Sequence, residues 1–215
     1  MAVGVAGSSA ATLSARCSQT KPFIDGTPSG SLLSILGVLR RPATPGDALP
    51  ASIKNALSRP LFNLLGREIF VNYIRRARVI AGTSYYVMPV LFTGCGAIKG
   101  PTREGMMLES GGSGGGAGDA AQIKQGSAYG TLGSFDHTTI EMLVPDGVAT
   151  VTLDYPAGKI GGFDRHHAAA FTVTTTVVGN LLIVSVPRSG NRLMAPMTMT
   201  WRAANGTIVK TLHTL

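Results

Sequence analysis

The sequence contains few charged residues, few aromatic residues and no long hydrophobic run. Charged residues make up 14% of the 215 residues and hydrophobic residues 44%, whereas typical soluble proteins have about 25% charged residues. This composition excludes a disordered, strongly solvated chain. No apolar run approaches the roughly 20 residues that cross a bilayer as a helix, so we predict no transmembrane segment.

Motifs for common cofactors are also missing. The sequence has no Gly-x-x-x-x-Gly-Lys-Ser/Thr phosphate loop. Its two cysteines, Cys17 and Cys95, do not form a Cys-x-x-Cys pair, so neither a zinc knuckle nor a thioredoxin-like redox site is indicated. We therefore expect no cofactor. The two cysteines fit a single disulfide in an exported protein or two unpaired thiols in the cytosol, with Cys95 as a weaker candidate for a thiol nucleophile.

The charge that is present is mostly positive. The sequence has nineteen Lys and Arg residues and eleven Asp and Glu residues, which gives a formal net charge of +8. The densest groups are Arg40-Arg41, Arg75-Arg76 with Arg78, and Arg188 with Arg192. None is a run typical of a dedicated nucleic-acid patch, and aromatic residues do not interleave with them. A nucleic-acid or anionic-polymer partner is therefore one hypothesis among several, and the partner is otherwise unknown.

The N-terminus permits two interpretations. Residues 1–15 are small and mildly apolar and end in Leu13-Ser14-Ala15, which resembles the tail and cleavage site of a signal peptide. A positively charged start is missing. We predict that residues 1–30 form either a residual signal segment or a flexible arm. The remainder, residues 31–215, is predicted to be a single β-rich domain.

The first part of that domain, residues 31–66, has a helical pattern. Apolar residues recur at near-helical spacing before Pro42, at Leu32, Leu33, Ile35, Leu36 and Leu39. Next, Thr44 precedes Pro45, and Asp47 follows at the third helical position, which predicts a helix start of the capping-box type. Because Pro50 interrupts this helix after about one turn, we expect a second helix through Ile53 and Leu57.

Strand patterns begin near residue 70. Ala81-Gly82-Thr83-Ser84 is a turn signal between "YIRRARVI" and "YYVMPVLF", which predicts a hairpin. A helix over residues 62–80 remains the alternative, because the apolar residues there also share a helical face. The glycine-rich segment 110–118 is predicted to be a flexible loop.

From residue 137 onward the pattern is clearly β. Two segments alternate, "TTIEMLVP" and "VATVTLDYP", and the long run 170–187 is divided at Gly179-Asn180. Asn205-Gly206 predicts a type I′ hairpin turn. Pro145-Asp146-Gly147 predicts a tight turn in which Asp146 bonds its own backbone. Together these features predict a mainly β fold: an antiparallel β-sandwich-like domain with a short helical N-terminal segment.

Histidine and aspartate residues provide the best candidates for chemistry. Asp164, His166 and His167 lie close together, and Asp136 and His137 precede them by about thirty residues. All five are candidate catalytic residues, and His137, His166 and His167 are candidate metal ligands. Adjacent histidines in a strand point to opposite faces, so only a loop would let His166 and His167 reach one metal. Solvated histidines in a connecting loop are the simpler interpretation.

Four phrases of the sequence carry a resemblance: "LRRPATPGDALP", "YYVMPV", "LVPDGVATVTL" and "TWRAANGTIVKTL". Together they resemble a loose group of uncharacterised exported or envelope proteins of high-GC Gram-positive bacteria, over roughly residues 35 to 215. The resemblance implies an extracellular or cell-envelope location. It implies no activity and no site residue.

The leading hypothesis is therefore a non-enzymatic extracytoplasmic protein with a binding or structural role. One alternative is a hydrolase, either metal-dependent or based on the His and Asp residues above. The other is a protein that binds nucleic acid or another anionic polymer.

Overall fold

The computed structural model describes residues 21–59, 66–94, 100–111, 113–133, 137–159, 167–187 and 198–213. It confirms the mainly β class, with several antiparallel sheets and a few short helices. In the described part of the chain, no helix is both long enough and apolar enough to span a membrane. The predicted disulfide partners, Cys17 and Cys95, lie outside the described residues.

Sheet A is built from the first half of the chain. Its strands are β1 (Phe23–Ile24), β2 (Arg67–Phe70), β3 (Arg75–Ile80), β4 (Thr83–Phe92), β5 (Arg103–Ser110) and β6 (Ser113–Ala117). The order is β1-β2-β4-β5-β6, and β3 also pairs with β4. The predicted β3–β4 hairpin is confirmed. The helical alternative for residues 62–80 is wrong where the structure describes it, because β-branched and aromatic residues there complete the sheet.

Two predictions about irregular segments of sheet A are corrected. Phe23–Ile24 pairs in parallel with β2, so residues 23–24 do not belong to a flexible arm. The glycine-rich segment is not a loop, because β6 pairs with β5 from Ser110↔Ser113 to Met106↔Ala117. Glycine has a low intrinsic strand preference, but a neighbouring strand that supplies hydrogen bonds outweighs it.

Sheet B is central and has three strands. These are β7 (Tyr129–Gly133), β8 (His137–Leu143) and β13 (Leu181–Pro187), in the order β13-β8-β7. Strands β8 and β13 carry buried apolar side chains on both faces. Leu143 and Ile183 pack towards sheet A, whereas Met142 and Leu182 pack towards the next sheet.

Sheet C forms the far layer. Its strands are β12 (Phe171–Thr176), β9 (Thr150–Tyr155), β14 (Thr198–Arg202) and β15 (Ile208–His213), in the order β12-β9-β14-β15. A separate two-stranded ribbon joins β10 (Gly158–Lys159) to β11 (His167–Ala168). The inner face of sheet C carries Val151, Leu153, Tyr155, Met199 and Trp201.

The outer face of sheet C carries a row of threonines. Pairing across the four strands places Thr174, Thr152, Thr200 and Thr211 side by side. The Thr152 and Thr174 hydroxyls are 3.0 Å apart and hydrogen-bond to each other. Threonine suits this position because it combines strand preference with a polar group.

Helices cover sheet A on both sides. They are α1 (Gly30–Ile35), α2 (Gly37–Arg40), α3 (Ala51–Leu57) and α4 (Ala120–Gln125), with 3₁₀ turns at Pro45–Asp47 and Val71–Tyr73. α1, α2 and α4 pack into the core between sheets A and B. α3 packs on the other face of sheet A, where Ile53 and Leu57 contact the core that contains Met88. The helical character predicted for residues 31–66 is confirmed where it is described.

Two turns that were predicted from short sequence signals can be compared with the structure. At Gly179-Asn180 the predicted break is confirmed, and Asn180 has a positive φ of 61°. Near residue 205 the hairpin is confirmed, but the type I′ turn is wrong. Gly206 has a φ of 83°, whereas Asn205 is not among the residues with positive φ. The bond from Gly206 N to Ala203 O closes a longer turn that ends in a left-handed glycine.

Candidate anion-binding groove

Arginines from two distant parts of the sequence line one groove. Arg40 and Arg41 come from the end of α2, and Arg75 begins β3. With Tyr73 and Asn72 they line a groove of about 730 Å³, to which none of the described carboxylates contributes. The sequence contained both basic groups, but nothing in it showed that they meet.

Arg41 is held by a buried carboxylate behind the groove. Its two terminal nitrogens donate to the Asp47 carboxylate at 2.6 and 2.7 Å. Asp47 also accepts from the Thr44 backbone N at 2.7 Å, from the Thr44 hydroxyl at 2.9 Å and from the Arg76 backbone N at 2.7 Å. The predicted capping box is therefore present, and the same carboxylate joins it to β3.

These contacts determine the ionisation of Asp47. Burial favours the neutral acid, but the bonds from Arg41, Thr44 and Arg76 outweigh burial and lower the pKa of Asp47 well below its ordinary value. The hydrogen bond to Asp47 raises the pKa of Arg41. The Arg41–Asp47 pair is therefore ionised at any physiological pH.

Arg75 is fixed by backbone carbonyls. Its Nε donates to Arg41 O at 3.2 Å, and Nη1 donates to Asn72 O at 2.9 Å and Ile74 O at 2.8 Å. The guanidinium also lies 5.9 Å from the centre of the Tyr73 ring. Burial lowers the pKa of Arg75, but an arginine remains charged in proteins. Arg75 thus provides a fixed positive charge.

Arg40 lies at the more exposed end of the groove. Its Nη2 donates to Asp146 Oδ2 at 2.6 Å, and half of its side chain is exposed. Asp146 was predicted only to stabilise its own turn. Gly147 does have a φ of 85°, but the Asp146 carboxylate bonds to other segments of the chain, and that part of the prediction is wrong.

Asp146 connects three distant segments. Besides Arg40, its carboxylate accepts from Gly37 N at 2.7 Å and from Asn180 Nδ2 at 2.9 Å. A Cβ at position 37 would lie 2.7 Å from Asp146 Oδ1, so any other residue there would displace the Asp146 carboxylate. Burial raises the pKa of Asp146, but the bonds from Asn180, Arg40 and Gly37 outweigh burial and leave the pKa below its ordinary value.

The candidate histidines are not brought together by the described strands. His137 begins β8 opposite Pro187, and His167 lies in β11 opposite Lys159. Asp136, Asp164 and His166 lie outside the described residues, as do Arg188 and Arg192. Among the described side chains, no group of three metal-binding residues occurs. The catalytic and metal candidates therefore stay predictions.

The glycine-rich segment contains one further sequence motif. Gly111-Gly112-Ser113-Gly114-Gly115 has the Gly-x-Ser-x-Gly spacing of a serine-hydrolase nucleophile elbow. That elbow requires a strand, a sharp turn and then a helix. In this protein Ser113 begins a strand that forms a hairpin with β5, so its backbone does not have the required geometry.

The groove has the chemistry of an anion site. Guanidinium groups match carboxylates, phosphates and sulfates because their donors lie in one plane. No family model matches the chain, and searches of curated proteins and of solved structures found no match to its sequence or its fold.

Proposed function

We propose that this chain is a non-enzymatic, extracytoplasmic binding protein whose ligand is anionic. The observation that carries the proposal is the groove lined by Arg40, Arg41 and Arg75, with no carboxylate among the described residues of its wall. The two neutralising carboxylates, Asp47 and Asp146, lie outside that lining and hold the arginines in place. A pre-ordered set of cations binds an anion at a lower entropic cost than flexible lysines would.

Two features support a binding role over a catalytic one. The three guanidinium groups remain protonated, so they bind an anion but do not act as a general base. Asp47, which bonds to Arg41 behind the groove, already accepts five hydrogen bonds from Arg41, Thr44 and Arg76. The proposed extracytoplasmic location is supported by the resemblance of the sequence to exported or envelope proteins. Fractionation of cells that express the complete gene tests it, and recovery in the cytosol alone would contradict it.

Arg40→Ala tests the groove. We expect this variant to bind pyrophosphate or a heparin fragment about three- to tenfold more weakly, because it loses one charge-assisted contact. The ion pair that it breaks is half-exposed and contributes about 1 kcal/mol or less, so the variant should fold. Isothermal titration calorimetry at low and high salt measures the change, and affinity should fall with salt in both proteins.

Arg59→Ala is the matched control. Arg59 is exposed after α3 and does not line the groove, so this variant has the same net charge as Arg40→Ala. It should bind both anions as the unaltered protein does. An equal loss of affinity in the two variants would show that binding depends only on the net charge of the protein. Unchanged affinity in Arg40→Ala would exclude the groove as the binding site.

The hydrolase hypothesis has a separate test. Metal analysis of the purified protein, together with the double variant His166→Ala and His167→Ala, distinguishes it from a binding role. If a metal is present in the unaltered protein and is lost in the double variant, the non-enzymatic proposal is wrong.

A further inference from the structure

A second cavity lies beside the first residue of β2 and the last residue of β4, and the charges of its lining are balanced. It has a volume of about 330 Å³, within the range of small-ligand sites. Its charged residues are two arginines, Arg67 and Arg103, and two acids, Glu104 and Asp119. The arginine groove favours an anion. This cavity has no net charge and therefore favours a ligand without net charge.

The arginines are ordered by one aromatic ring. Strand pairing places Arg67 on one side of Phe92 and Arg103 on the other. Their guanidinium carbons lie 5.7 and 5.4 Å from the centre of the Phe92 ring, within cation–π range. The Arg103 guanidinium donates no hydrogen bond to any described residue. Its donors are therefore available to a ligand.

The carboxylates are ordered by backbone amides. Ser29 N donates to Glu104 Oε2 at 2.7 Å, and Gln122 N donates to Asp119 Oδ1 at 2.9 Å. The second oxygen of each carboxylate accepts no hydrogen bond from the described residues. The cavity thus combines fixed donors with fixed acceptors at its wall.

An exposed aromatic residue completes the lining. Tyr129, at the start of β7, is 49% exposed and is the most exposed aromatic side chain among the large hydrophobic residues that the structure describes. Its hydroxyl has no partner in the described part of the chain. An aromatic face beside polar groups suits a ligand with one C–H face and several hydroxyls.

We infer that this cavity binds a neutral carbohydrate. Hydroxyl groups both donate and accept, so they satisfy the Glu104 and Asp119 oxygens and the Arg103 donors together. The Tyr129 ring covers the C–H face of the sugar. A zwitterion such as a dipeptide also matches the balanced charge. However, a dipeptide must lose the hydration of its two charges when it enters the cavity, and it has no flat C–H face to pack on the Tyr129 ring.

Titration of labelled protein with neutral disaccharides tests this inference. The probes are disaccharides of glucose, galactose, mannose and N-acetylglucosamine, with glycylglycine as the zwitterionic comparison. Binding is measured from the NMR chemical shifts of the labelled protein. We expect at least one disaccharide to bind at millimolar concentration or below. Tyr129→Ala should weaken that binding about three- to tenfold, and Arg103→Ala should weaken it as well.

Two further variants are controls for the position of the bound sugar. Val178→Ala, another exposed apolar position, should leave binding unchanged, as should Arg40→Ala in the arginine groove. The inference is overturned if no disaccharide of the panel binds, if glycylglycine binds instead, or if the bound sugar is insensitive to both Tyr129→Ala and Arg103→Ala. Because Tyr129 and Arg103 are exposed, both variants should fold, and thermal unfolding checks this.

Discussion

Asp47→Ala is expected to lower the free energy of unfolding by about 3 kcal/mol. The variant leaves the Arg41 guanidinium without its partner and leaves the Thr44 and Arg76 amides without an acceptor. This expected loss is at the low end of the range for removing one partner of a buried ion pair, because the Arg41 side chain is 35% exposed and regains some hydration. Urea unfolding measures the change as a lower midpoint at constant slope.

Asp119→Ala is the control for Asp47→Ala. Asp119 also forms a capping box, with Gln122, but no arginine among the described residues binds it. Loss of a cap alone costs about 1 kcal/mol. We therefore expect Asp119→Ala to destabilise the protein much less than Asp47→Ala. Equal losses would show that Asp47 acts only as a local cap, against its proposed role in connecting Arg41 to β3.

The stabilising contribution of Asp47 should also depend on pH. Its pKa is lowered in the folded protein, so its contribution is complete above its ordinary value and is lost as the pH falls through the lowered one. The unfolding free energy of the unaltered protein should therefore approach that of Asp47→Ala at strongly acidic pH. A difference that is independent of pH would contradict this.

Glu141→Gln is expected to have the opposite effect and to stabilise the protein at pH 8 by about 1–3 kcal/mol. Glu141 lies in β8 with 4% of its surface exposed, and its carboxylate accepts a hydrogen bond from the Ser110 hydroxyl at 2.8 Å. Burial raises the pKa of Glu141, and the bond from Ser110 opposes this only partly. A neutral amide keeps the shape and removes the cost of a buried charge.

The sign of the pH dependence follows from the raised pKa. The folded state holds the Glu141 proton more tightly than the unfolded state, so the contribution of Glu141 to stability is most favourable at low pH. It falls as the pH rises from the ordinary carboxyl value through the raised one. The stability gain of Glu141→Gln should therefore grow with pH over that window and then become constant. Chemical unfolding at a series of pH values measures it, and a gain that shrinks with rising pH would contradict the prediction.

Glu141 also shows what the sequence did not predict. In "TTIEMLVP", alternation places Ile140 and Met142 on one face and Glu141 on the other. In a sandwich of two sheets that second face would be in water. The structure has a third sheet, which covers it. A signal did exist in β13, where "LLIV" is continuously apolar, as is typical of a strand buried on both faces.

In the groove, contacts between sequence neighbours could be predicted, whereas contacts between distant residues could not. Thr44, Pro45 and Asp47 are neighbours in sequence, so their spacing was enough to predict the capping box. The bond from Arg76 to Asp47 spans 29 residues, and the bond from Gly37 to Asp146 spans 109. Such contacts depend on how the sheets stack, which residue spacing does not encode. The groove could therefore not be predicted, although each of its arginines was noted.

The central position of sheet B has a consequence for folding. Its strands β8 and β13 form one wall of the core with sheet A and one wall of the core with sheet C. Separation of either outer sheet would expose the apolar side chains of β8 or β13 to water. Neither outer layer is therefore a self-sufficient unit, and the two cores should be lost in one cooperative transition.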